Sequence, residues 1–520
     1  MSNIYIKGID RKYKSYFPPT LDEYVGENNI VRVIDLYVEN LNVSELDFTN
    51  SQLNVKQGRP AFHPSVLLKI YIYTYINKIR SSRMIEQEIR RNVELMWLTK
   101  GLIPGYKTIA NFRKDNSQPL QKIFKEFVLL IKSIDLISGD VMIDGAFLRA
   151  NASKNETITK KGIEANIKRV ENEIKKSLVS LDSEDEIDEK RIKQNRKIEE
   201  LNKQEKIKQK NIDKLEQEEK IKQELLKKLN DKKKALEEDL ALLGDKNQYN
   251  KTDPDSSIMV KPAHNLVAYN TQISVDTKSK FIIATDVSTK GNDKQELYKM
   301  AKMSKDNLKL NTIKVGADTG YYSAKEIKKC KDDNIEPFTS IPKTQNSNNK
   351  KTKFTKDDFT YNKEEDTYTC PNNQKLTKAN SPQKKNDKIN YIYKTTIAMC
   401  KSCPLKEKCI TGKTQYKQIY RWEHEEVIEK FKEDMKSDEA KKVIKQRGSI
   451  VEHPFGTIKR TLGWDHYLVR GREKVLGENA LIMFNYNFKR LFNLIGIVLF
   501  MQLILATKNG NLEERIERIS

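Results

Sequence analysis

Cysteine, tryptophan and proline are scarce in this chain: five, three and fourteen among 520 residues. Four of the five thiols crowd into residues 370–409, too clustered for a disulfide scaffold, and such usage points to a reducing compartment. Twenty glycines without a three-residue period exclude a collagen-like rod. Long hydrophobic runs are missing too: no stretch reaches the ~18 consecutive apolar residues that a membrane span requires. The most apolar segment, 494–506, is interrupted by Gln502 and reads as a buried terminal helix. The opening MSNIYIKGIDRKYKSYF lacks the apolar stretch of a secretory leader, so secretion is not expected.

Charge is abundant. Lys and Arg number 96 against 73 Asp and Glu, a formal excess of +23. Residues 160–250 hold 24 basic and 22 acidic side chains, so almost all of that excess lies elsewhere. Charge of this size and sign attracts a polyanion, because each neutralised phosphate releases counterions. A Lys- and Asn-rich composition can also follow from an A·T-rich genome, so charge alone does not decide for nucleic acid.

At about 150 residues per domain the length predicts three or four units. Residues 1–135 read as helical: RPAFHPSVLLKIYIYTYINKIRSSRMIEQEIRRNVELMWLTKG has helical periodicity, with caps at His63-Pro64 and Ser81-Ser82. Arg80, Arg83, Arg90, Arg91, Arg113 and Lys114 fit either a DNA-binding unit or a bundle with a solvated basic face. Residues 136–159 carry a first strand, DVMIDGAFLR. Residues 160–250 form a Lys/Glu-rich helical insertion. Ile198, Ile212, Leu226 and Leu240 share one heptad phase and Leu201, Leu215, Leu229, Leu236 and Leu243 the phase three residues later, an a/d seam that Glu205, Lys208, Glu219, Lys222 and Lys233 interrupt. A helical hairpin or a dimerising coiled coil both satisfy it. Residues 251–345 resume with two strands, a helix and a strand ending at Asp318; 346–420 hold the cysteine cluster; 421–506 are helical; 507–520 are a tail. With the insertion removed, the order is βββαβ, that of the ribonuclease-H-like fold within an α/β class.

Asp144 and Asp318 fall at the ends of the first and fourth strands of that order. Two converging carboxylates repel unless a divalent cation lies between them, and Mg²⁺ takes one or two carboxylates plus phosphate oxygens. A third acid, Glu452, stands in GSIVEHPFGTIKRTLGWDHY, with Lys459 two helical turns along the same face. Each acid also has a plain structural reading: Asp144-Gly145 is a turn dipeptide, Asp318-Thr-Gly a strand exit, and Ser449 with Glu452 a capping box.

The text is similar to DDE-type bacterial insertion-sequence transposases with an InsH-like N-terminal domain. The resemblance rests on RPAFHPSVLLKIYIYTYINKIRSSRMIEQEIRRNVELMWL and KTIANFRKDN, then VMIDGAFLRANASKN, AYNTQISVD, VGADTGYYS and VEHPFGTIKRTLG in family order. It implies a catalytic triad of Asp144, Asp318 and Glu452 holding Mg²⁺ or Mn²⁺. Its partners are terminal inverted repeats and target DNA, its working complex is a homodimer, and its setting is the bacterial cytoplasm, beside the nucleoid and without a membrane. Arg447 and Lys459 resemble the basic residues flanking the family's glutamate, with Arg460 beside them as a further phosphate contact. The six-residue gap from Glu452 to Lys459 keeps the family spacing. Four residues separate Arg447 from Glu452 where the family has three, and strict spacing places Gly448 and Lys445 at the Arg and Tyr positions.

Cys400-x-x-Cys403, with Cys409 and the upstream Cys370, supplies the four thiolates of a structural Zn²⁺ site in a zinc-ribbon-like insertion, or four free thiols. Cys330 reads as packing. Trp464, among cations, suits stacking on an unpaired base or burial in the core. The functional expectation is a transposase. A metal-dependent nuclease without strand transfer and a catalytically silent DNA-binding descendant are the alternatives.

Overall fold

The computed structural model describes residues 20–51, 60–195, 205–244, 248–260, 265–342, 354–385, 388–410 and 414–508. The expected tail lies outside these residues apart from its first two positions, as do Ile198 and Leu201 of the heptad pattern.

The N-terminal part is helical, as its periodicity predicts. Helix Pro64–Ile76 starts where His63 caps it with proline in its first turn, and its residues are buried almost all round. Helix Ser82–Ile89 starts at Ser81, and helices Tyr106–Asp115 and Ser117–Lys132 follow. Before these, residues 21–39 hold two helices, Leu21–Tyr24 and Ile30–Glu39.

A six-stranded sheet follows: β1 (Val141–Arg149), β2 (Ser257–Val260), β3 (Asn265–Asp276), β4 (Ile282–Ser288), β5 (Ile313–Ala317) and β6 (Ile335–Thr339). β3 pairs antiparallel with β1, β2 and β4; β1 pairs parallel with β5, and β5 with β6. Helix Leu297–Asn307 connects β4 to β5. The strand–strand–strand–helix–strand run is therefore present, with β2 and β6 added.

The insertion leaves this sheet after β1. Its base is closed by antiparallel pairing of Thr157–Thr159 with Gln248–Asn250. Its two long helices, Lys160–Asn195 and Glu205–Leu243, pack on each other, with Lys233 Nζ 2.9 Å from Glu171 Oε1. Lys233, an interruption of the heptad seam in the sequence, thus serves as a cross-link between these helices.

The cysteine segment forms a second six-stranded antiparallel sheet spanning Thr360–Asn362 to Gln418–Trp422. It has its own small core of Phe359, Tyr368, Leu376, Tyr393 and Ile419.

Helix Asp438–Gly456 crosses the main sheet. It starts at Ser437, whose hydroxyl accepts from Ala440 N, so Glu452 is deep inside it and is no capping residue. Ser449 donates instead to the Gln446 carbonyl. Pro454 lies within the last turn of this helix, and the chain then widens into a π-helical stretch, Thr457–Thr461.

The terminal helix Arg472–Lys508 changes direction at Gly496, whose φ of 73° is outside the helical region. By length and composition it could cross a membrane. Its first part is core: Ala480 to Phe484, Phe488 and Leu491 are buried. Beyond Gly496 it is one-sided, with Phe500, Leu503 and Ile504 buried and Val498, Leu499 and Leu505 exposed. The expectation of a wholly buried terminal helix is corrected to a half-buried one.

Candidate active site

Asp144 is the fourth of nine residues of β1, inside the strand rather than at its end. β1 pairs with β5 only at Val141–Val315 and Met142–Gly316, whereas its pairing with β3 continues to Arg149. The two parallel strands therefore part just before Asp144, and a crevice opens between them. Asp318 follows β5 directly and caps a short 3₁₀ turn, accepting from Gly320 N at 2.8 Å. Gly316 lets Met142 and Val443 of helix Asp438–Gly456 lie against β5, since a Cβ there would collide with the methionine. That close packing carries the helix over the crevice, and Arg447 Nη1 comes within 3.4 Å of Asp144 Oδ1.

Asp144 titrates abnormally. Burial is the main cause, Asp318 and Asp293 add to it, and Arg447 and the Gly145 N–H oppose it; the result is a carboxyl pushed up to about 6. One cation against three neighbouring acids leaves the crevice short of positive charge.

Asp293 was not singled out by the sequence. It belongs to the loop between β4 and helix Leu297–Asn307, and its Oδ1 accepts from Asn270 Nδ2 and Gln272 Nε2, both at 2.7 Å. These amides come from β3 and are fully buried. Tyr321, following the Asp318 turn, donates to Gln272 Oε1. Gly145 makes room for this network, since a Cβ there would strike Gln272 Nε2 and approach Asp293 Oδ1 and Asn270 Oδ1 to 3.0 Å. A signal existed: Asn270, Thr271 and Gln272 are consecutive polar residues in the middle of a buried strand.

The remaining expected residues divide. Glu452 shares its helix with Arg447 but is exposed, its carboxylate 3.6 Å from the point where a Gly448 Cβ would stand. Among the described residues it makes no hydrogen bond or ion pair. Lys459 Nζ reaches the Phe147 carbonyl of β1 at 3.4 Å, and Arg460 beside it is exposed. Trp464 is corrected. It is fully buried, with Tyr75 at 4.2 Å between ring centroids and the Arg80 guanidinium 4.2 Å above its ring. No base can stack on it here; it joins the N-terminal helices to the site's flank.

The cysteines share one end of the small sheet. Cys370 Sγ accepts from Gln374 N at 3.3 Å, Cys403 Sγ from Asn372 Nδ2 at 3.5 Å, and Cys400 Sγ lies 3.0 Å from Thr395 Oγ1. Burial first, then the other three cysteines, push the Cys409 thiol up, against Lys417. All five thiols are free. Among the described residues no three His, Cys, Asp or Glu side chains form a ready-made metal cage. The acidic crevice still fits Mg²⁺, which asks of the protein only one or two hard carboxylates. A structural zinc site asks for all four ligands, and the cysteines as placed do not supply them.

Two family models match this chain: the Transposase domain (DUF772) over residues 19–115 and the Transposase DDE domain over residues 369–492. Both matches are to transposase domains, and together they support a DDE transposase of the insertion-sequence type. The first match covers the N-terminal helices. The second runs from the cysteine sheet through Glu452, Lys459 and the first part of the terminal helix, so Asp144 and Asp318 lie outside both. Among solved structures, the cryo-EM structure of a piggyBac transposase synaptic complex with hairpin DNA aligns with 94% of this chain and 82% of that chain. Its identity is 9% and its TM-score 0.28, too low to support any inference. No curated protein matches the sequence.

Proposed function

We propose that this transposase cuts DNA at the terminal inverted repeats of its own element and joins the ends to target DNA. In this reading its sheet is a ribonuclease-H-like core, and Asp144, Asp318 and Glu452 are its triad. The observation that carries it is the crevice where β1 and β5 part, with two carboxylates facing it and the helix of Arg447 and Glu452 laid across.

Asp144 and Asp318 would hold Mg²⁺ or Mn²⁺, with Glu452 as the third acid. When bound, the cations activate a water or 3′-hydroxyl and stabilise the leaving oxygen. The chain's own groups do the rest. With its carboxyl near 6, Asp144 is largely ionised at neutral pH and ready to act as a ligand. Arg447, paired with Asp144, holds that charge until a stronger cation competes, and is then placed to meet a phosphate. Lys459 and Arg460, on the π-helical stretch after Glu452, offer donors to the strand flanking the cut. The N-terminal helices grip the repeats, and a homodimer brings two ends together. Zinc at Cys370, Cys400, Cys403 and Cys409 belongs to this reading as a separable part, requiring the thiols to close on the ion; metal analysis of the purified chain returns zinc or shows four free thiols.

The test is incubation of the protein with labelled element ends, target DNA and Mg²⁺ or Mn²⁺. Joined products that vanish with chelator support the proposal. Cuts without joining would make the protein a nuclease, and neither activity would leave a DNA-binding descendant.

A further inference from the structure

The carboxylates of the crevice are not fully described by a triad. Asp293 Oδ2 is 3.7 Å from the point where a Gly320 Cβ would stand, and Asp318 Oδ1 is 3.0 Å from the same point. Asp293 Oδ1 is 3.0 Å from the matching point at Gly145, the residue after Asp144. Asp293 thus lies between the neighbours of both strand aspartates; the missing Cβ at Gly320 leaves room beside Asp318, and the one at Gly145 makes room for the Gln272 amide that holds Asp293.

An acid in that position without a counter-charge is costly. Both amide donors that hold it act on Oδ1, which leaves Oδ2 toward Asp318. Arg447, the cation of the crevice, is engaged with Asp144. Tyr321, in the same network, is raised well above its ordinary range by burial and then by Asp293, Asp144 and Asp318. These carboxylates, with Glu296 behind them, all act on one hydroxyl.

A second, independent observation points to a ligand. Asn270 is 1% exposed, and its Oδ1 has no hydrogen-bond partner. Its Nδ2 donates to Asp293 and to the Lys290 carbonyl, both acceptors, so the amide cannot be reversed to hide the oxygen. A buried carbonyl oxygen left without a donor costs about 1–3 kcal/mol. It is a hard, neutral donor 3.0 Å from the point shared with Asp293 Oδ1 beside Gly145.

We infer that Asp293 is a fourth acidic ligand of the site: with Asp318 and the Asn270 carbonyl oxygen it forms a seat for a divalent cation beside Asp144. The inference rests on the cation-dependent reading above and adds a residue that neither the triad nor the matched segments include. The seat would take an oxygen-loving ion of the Mg²⁺ or Mn²⁺ kind, for which two carboxylates and an amide oxygen are ordinary partners. Gln272 and Tyr321 are positioning residues: they fix the Asp293 carboxylate and touch no reactant.

The test is Mn²⁺ binding to the full chain without DNA, followed by electron paramagnetic resonance of free Mn²⁺. Asp293→Asn is expected to weaken binding about 10–100-fold, and Asn270→Ser, which removes the amide oxygen together with one of the two donors to Asp293, to weaken it in the same direction. Thermal melting without metal verifies folding, and Asp293→Asn should melt no lower than wild type because a repelling charge is gone. If Asp144→Asn and Asp318→Asn lose Mn²⁺ while Asp293→Asn and Asn270→Ser bind it as wild type does, the fourth ligand is overturned and the triad stands. If all four bind it as wild type does, the cation reading falls and this inference falls with it.

Discussion

Two places in this protein bury charge, and they do it in opposite ways. Between helix Tyr106–Asp115 and the terminal helix, Arg113 and Glu478 are 3.6 Å apart with side chains 7% and 0% exposed. Arg113 also donates to the Tyr75 hydroxyl at 3.1 Å, and Glu478 accepts from Leu468 N and Val469 N. Beside them Arg80 covers Trp464 and donates to the Gly463 and His466 carbonyls. Charge there is matched one for one. In the crevice three aspartates face one arginine, and burial first, with Asp318 and Asp293 adding to it, leaves Asp144 half neutralised near pH 6. Balanced burial joins parts of a structure. Unbalanced burial of one sign leaves a demand that a ligand can satisfy, which is why the crevice and not the better packed ion pair is read as the working site.

Substitutions can break or sharpen that contrast. The largest effect belongs to the crevice: Asp144→Asn or Asp318→Asn should lower strand joining about a thousandfold or more, the several kcal/mol that cation catalysis supplies, in a gel assay with element ends. The matched pair should behave the other way. Arg113→Met, which strands a buried Glu478, should destabilise the fold by about 3–5 kcal/mol, read as a lowered melting temperature. Gly145→Ala, which forces a Cβ onto Gln272, should cost about 1–3 kcal/mol and weaken joining beyond what the melt explains.

The pH dependence separates the two regions further. A carboxyl whose folded pKa is raised binds its proton more tightly in the native state, so metal-free wild type should lose stability as pH rises from about 4 to 6. Asp144→Asn should therefore be more stable than wild type above pH 6, by about 1–3 kcal/mol, and equal to it near pH 4, as denaturant titrations at the two pH values would reveal. The smallest effect is expected at Trp464. Trp464→Phe should shift the melt by about 1 kcal/mol or less and leave the salt dependence of DNA binding unchanged; a large loss of DNA affinity without a stability change would return this residue to the DNA surface.

Much of this was legible in the sequence because it is local. Alternating β-branched residues gave β1, β3, β4 and β5 within a residue or two, and the His63-Pro64 and Ser81-Ser82 caps began helices where expected. The acids were placed on the right elements, though Asp144 lies mid-strand. The point where β1 leaves β5 is a property of pairing, and no single-strand pattern encodes it. Asp293 was missed for the same reason, since its partners come from β3 and its loop looks like an ordinary turn. Trp464 misled because cations adjacent in the sequence are not those that meet its ring; Arg80, 384 positions earlier, does.

The most direct test exchanges the ligand chemistry at one strand aspartate. Asp144→Cys places a soft thiolate where a hard carboxylate stood, which Mg²⁺ tolerates poorly and Mn²⁺ better. Joining of labelled ends by this variant should be lost in Mg²⁺ and partly restored in Mn²⁺. Joining at the wild-type level in Mg²⁺ would contradict the account, since Asp144 would then not be holding the ion.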